Sequence, residues 1–69
     1  MSKQFVYLVD DMDVLRIEKM KKALATVSDI EDVKFSIGSA TITAIAKKDV
    51  EEQIKMAASI AGSSFRRKI

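Results

Sequence analysis

Hydrophobic positions change rhythm along this chain, and each change marks the boundary of an element. Gln4 to Val9 is apolar at every position from Phe5 onward and rich in β-branched and aromatic side chains, which predicts a strand. An unbroken apolar run lacks the alternation of a half-buried strand, so both of its faces carry hydrophobic groups. Asp10 to Asp13 then place carboxylates where a helix begins, suited to cap free N–H groups and to complement the positive end of the dipole. From Val14 the spacing turns to three and four. Val14, Ile17, Met20, Leu24 and Val27 predict the buried face of a helix of roughly 14 residues. Arg16, Lys19, Lys21 and Lys22 fall mainly on its outer side.

Ser28-Asp29 interrupts the helix, and a period of two follows. Val33, Phe35 and Ile37 alternate with Lys34 and Ser36, which predicts a strand over 30–37 with one buried face. Gly38-Ser39 reads as a tight reversal into Ala40 to Ala46, whose threonines and isoleucines suit the second strand of a hairpin. Asp49 and Glu52 have the spacing of a capping box. They open a second helix with Val50, Ile54, Ala57, Ala58 and Ala61 inward, ended by Gly62. Phe65 to Ile69 predicts a short basic edge strand. The order β-α-β-β-α-β implies an α+β, ferredoxin-like fold: an antiparallel four-stranded sheet with two helices on one face, in a single domain over 1–69.

Several of these segments resemble the heavy-metal-associated domain, the fold of small copper chaperones and of the N-terminal modules of metal-pumping ATPases. Ile17-Glu-Lys-Met20-Lys-Lys-Ala23-Leu24 looks like the family's first helix, and Asp29-Ile30-Glu31-Asp32-Val33-Lys34-Phe35 like its second strand. Ala40-Thr41-Ile42-Thr43 looks like its third strand and Ala61-Gly62 like its Ala-Gly ending, although Ser63 stands where the family has an aromatic. The resemblance implies a metal-carrying loop, Met-x-Cys-x-x-Cys, ahead of the first helix, and that motif is missing here. Counting back from Leu24 without a gap puts Asp13 and Arg16 in the cysteine places. A one-residue deletion instead makes Met12 the family methionine, keeping its packing role, with Val14 and Ile17 in the cysteine places. Neither alignment leaves a thiolate.

Composition narrows the chemistry further. The 69 residues allow one core, and 48% apolar with 32% charged residues is the balance of a folded domain rather than a disordered tail. Without cysteine or histidine the chain has no disulfide, thiolate nucleophile, imidazole base or cysteine metal site. No apolar run nears the ~18 residues of a membrane span, and Met-Ser-Lys-Gln lacks the apolar core of a signal peptide, so the cytoplasm is the expected compartment. A net charge of +2 does not by itself imply nucleic acid.

The remaining candidates are weighed on their side chains. Asp10, Asp11 and Asp13 offer oxygen to a hard cation, but three clustered aspartates fall short of a calcium or magnesium ligand set, and capping is the simpler role. Met12, Met20 and Met56 are soft donors apart from Met1, and core filling is their expected role. No base and orienting group stand in a catalytic spacing, so no enzyme activity and no cofactor are expected. The first strand must show either Phe5, Tyr7 and Val9 or Val6 and Leu8 to solvent. Val6 and Leu8, beside Thr41, Thr43 and Ile45, form the candidate interaction face, for a protein partner or a homodimer. The alternatives are a metal carrier or sensor using Met12 and the aspartates, and an RNA or small-ligand binder on the sheet. RNA is disfavoured because the third strand carries no aromatic to stack a base.

Overall fold

A computed structural model describes residues 2–69. The elements are β1 (Lys3–Asp10), α1 (Val14–Leu24), β2 (Ile30–Ser36), β3 (Thr41–Ala46), α2 (Glu51–Ala61) and β4 (Ser64–Lys68). The strands form one antiparallel sheet in the order β2-β3-β1-β4. Both helices cover the same face, the ferredoxin-like arrangement expected from the periodicity.

The core lies between that face and the helices. Tyr7 and Val9 of β1 and Ile42, Ala44 and Ala46 of β3 meet Met20 and Leu24 of α1 and Ile54, Ala57, Ala58 and Ala61 of α2. Cross-strand pairing puts Tyr7 opposite Ile42, and Phe35 of β2 opposite the same residue, so these side chains share the helix side. On the inner face of α2 only Ile54 is large, and Ala57, Ala58 and Ala61 fill the rest with small side chains. At its end Gly62 takes φ +84, and the Ser63 N–H reaches back to the Ala58 carbonyl at 2.8 Å.

Local details depart from the periodicity. α1 is shorter than expected at 11 residues, and Val14 is 67% exposed instead of lying on its buried face. Asp13 holds the first turn by accepting the Arg16 N–H, and this places Val14 at the rim, where nothing packs over it. Val27 lies beyond the helix and is half-buried. β2 stops at Ser36, so Ile37 belongs to the turn and is 52% exposed. The reversal is carried by Ala40, at φ +55, whose N–H donates to the Ile37 carbonyl.

Asp49 does not form a capping box. The N-cap of α2 is Val50, and Asp49, one residue earlier, accepts the Glu51 N–H while Glu52 stays exposed. Its carboxylate is turned instead to Tyr7 and Lys68. Met20 is fully buried and Met12 packs partly against the core, as core filling requires. Met56 is 62% exposed, on the outer side of α2. There it lines a shallow cleft with Ala23, Val27 and Ile60.

Candidate functional site

The loop between β1 and α1 is held together by its own polar groups. Asp13 Oδ1 accepts the Arg16 N–H at 2.8 Å, and its Oδ2 accepts Arg16 Nη1 at 3.0 Å. Asp11 sits at φ +61, in the left-handed region that aspartate tolerates better than most residues. Its carbonyl accepts both Arg16 Nη1 at 3.3 Å and the Ser63 hydroxyl at 3.1 Å. Its carboxylate accepts the Ser64 hydroxyl, and Asp10 pairs with Arg66. Met12 and Ile17 pack partly against the core, while Val14 faces outward.

These residues do not fit a bound metal ion. Of the positions that stand in the cysteine places, Asp13 and Arg16 are bonded to each other, and Val14 and Ile17 have no donor atom. Among the described residues no three acidic, cysteine or histidine side chains converge on a common point. The sulfur of Met12 alone is a weak donor.

The second candidate place is the side of the sheet away from the helices. The register arranges its side chains in three rows across the strands. Ser36, Thr41, Leu8 and Arg67 form the first; Lys34, Thr43 and Val6 the second; Asp32, Ile45 and Gln4 the third. Val6, Leu8, Thr41, Thr43 and Ile45 are thus brought together on one surface, each half-buried by its neighbours and covered by no other element. Of the two alternatives for the first strand, Tyr7 and Val9 are the buried set and Val6 and Leu8 the outward one. All the aromatic rings lie on the helix side: Tyr7 in the core, with Phe5, Phe35 and Phe65 packed against it. The outward surface therefore offers no ring for base stacking.

A polar group that sequence reasoning missed ties this sheet together. The buried Tyr7 hydroxyl donates to Asp49 Oδ1 at 2.9 Å and accepts the Val50 N–H at 3.2 Å, while Lys68 pairs with Asp49 Oδ2. Burial, followed by the hydrogen bond to Asp49, pushes the Tyr7 phenol well above its ordinary pKa. The hydrogen bond from Lys68 holds Asp49 below the usual carboxylate range, and the same bond raises Lys68. The one available signal was the single hydroxyl, that of Tyr7, within the apolar run from Phe5 to Val9, since a buried hydroxyl needs a partner.

The N-terminal domain of ZntA in its apo form superposes with a TM-score of 0.84 at 20% identity, over 97% of this chain and 93% of that one. The fold is that of the ZntA domain. The Zn(II) form of the same ZntA domain gives a TM-score of 0.75 at 22% identity, over 93% of this chain and 89% of that one. At such identities the likeness to ZntA establishes the fold alone. No protein-family model and no curated protein matches the chain. Among the described residues no helix is long and apolar enough to cross a membrane.

Proposed function

We propose that this chain is a non-catalytic, heavy-metal-associated-like domain that acts through protein contacts on the outward face of its sheet instead of carrying a metal ion. The observation that carries the reading is the cluster of Val6, Leu8 and Ile45 on a surface that no element of the chain covers. Apolar side chains gathered on one side of a small domain mark a surface for association. The loop supports the same reading from the other side, because its carboxylates are bonded within the chain and no thiol is present.

A photo-crosslinking phenylalanine analogue at position 8, compared with one at position 22 on the outer side of α1, tests the reading in cells. Covalent protein adducts from position 8 alone are the expected result. Adducts from neither position, or equally from both, would refute it. Titration with zinc and cuprous ions, followed by amide shifts, tests the rival metal carrier. Saturable shifts confined to residues 10–17 would establish that rival and overturn the proposal.

A further inference from the structure

The rows on the outward face have a charge order that selects an occupant. On β2, Asp32 and Lys34 point to this side one row apart, and neither forms an ion pair among the described residues. One oxygen of Asp32 accepts the Val33 N–H at 2.9 Å, which leaves the other free. On β4, Arg67 stands at the far end of the first row and also lacks an acidic partner among the described residues. Thr43, Val6 and Ile45 lie between these edges.

Resting on the docking role of this face, we infer that its occupant is a second copy of the chain, packed face to face about a two-fold axis running across the strands. An axis at the level of Val33, Ala44 and Phe5 lies midway between the second and third rows. It lays the second row of each copy on the third row of the other. Lys34 then meets Asp32 of the other copy and Asp32 meets Lys34, so one alternation on a single strand makes two reciprocal ion pairs. The same operation sets Thr43 against Ile45 and Val6 against Gln4, and it leaves Leu8 and Thr41 of the first row at the rim of the contact.

Other symmetric arrangements are poorer. An axis through the second row opposes Lys34 with Lys34. An axis parallel to the strands keeps each residue in its own row, which leaves Asp32 unmatched and brings Lys34 toward the Arg67 edge. Side-by-side pairing along β2 is hindered by the irregularity between Ile30 and Asp32 and by the charges on that strand. About this axis only β2, β3 and β1 overlap, and three strands about 4.8 Å apart with five residues of about 3.4 Å bury roughly 250 Å² per copy. That is below the ~800 Å² per partner of a standard stable interface, so the pair is a transient one.

Sedimentation equilibrium and amide shifts from about 20 μM to about 2 mM provide the test. Wild-type protein is expected to associate, with concentration-dependent shifts at Val6, Asp32, Lys34, Thr43 and Ile45. Asp32→Lys and Lys34→Asp should each weaken association about tenfold, because each sets like charges opposite one another. Mixing those two variants should restore it, since one then presents two lysines to the other's two aspartates. Far-UV circular dichroism should find both variants folded, both positions being exposed. A wild type that stays monomeric at about 2 mM overturns the inference, as does a mixture no stronger than its components. So does association that survives Ile45→Glu, which would put the contact at a strand edge. A monomeric wild type with position 8 adducts to a different protein removes the second copy and keeps the docking role. Absence of both removes both.

Discussion

Replacing Tyr7 by Phe removes one oxygen and leaves the ring against Phe65, whose centroid is 6.2 Å away. Two bonds disappear. The first is the donation to Asp49 Oδ1 at 2.9 Å, a bond to a charged acceptor worth about 1.5–3 kcal/mol where fully buried. Asp49 is partly exposed and keeps Lys68 and the Glu51 N–H, so the lower end of that range applies. The second is acceptance of the Val50 N–H at 3.2 Å. Val50 is wholly buried, no water can replace the lost partner, and an orphaned N–H costs about 1–3 kcal/mol. Together Tyr7→Phe should destabilise the fold by about 2.5–4.5 kcal/mol, a large share of what a small domain possesses. Urea unfolding followed by far-UV circular dichroism should report a lower midpoint at unchanged slope. The melting temperature should fall by roughly 10–35 °C. A loss below about 0.5 kcal/mol would refute the assignment of the hydroxyl as a structural tie.

The same trio sets a pH dependence with two limbs. Tyr7 and Lys68 have raised folded pKa values, so their contribution is complete below the ordinary values of about 10 and is lost as pH climbs through the folded ones. Asp49 is lowered, so its contribution is present above about pH 4 and disappears as pH falls through its folded value. Asp49→Asn should flatten the acid limb of urea midpoints against pH, and an unchanged limb would count against the pairing. Asp13→Ala should cost about 1 kcal/mol by removing the cap of α1, measured by the same unfolding curves. Ala58→Leu should cost about 1–3 kcal/mol or more, because its site between α2 and the sheet has no free surface. A neutral result there would mean that α2 can move outward freely.

Much of the fold was legible because packing imposes its own period. The alternation from Val33 to Phe35, the inward set from Val50 to Ala61 and the glycine stop at Gly62 all follow from one covered face per element. The unbroken run from Phe5 to Val9 could not reveal its inward side, because pairing with β3 and β4 decides that and the strand's own pattern does not. Val14 and Ile37 are apolar residues just beyond the covered region, and a periodic pattern cannot mark where cover ends. The turn strain at Ala40 was hidden because the neighbouring Gly38 is the more obvious candidate for a left-handed backbone. The tie between Tyr7, Asp49 and Lys68 spans distant parts of the chain, and only assembly of the sheet brings them together. For the candidate site, the outward residues were readable as a set, while the charge order of Asp32 and Lys34 became meaningful only with the register.

The lacing at the head of α1 has a cost for any would-be guest. The Asp11 carbonyl is clasped by Arg16 from the first helix and by Ser63 from beyond the second, so one backbone oxygen fastens three parts of the molecule. A visitor that claimed this oxygen would have to unbuckle that seam, and its arrival would register as loosening of both helix ends. Occupancy at this spot and integrity of the domain are therefore opposed.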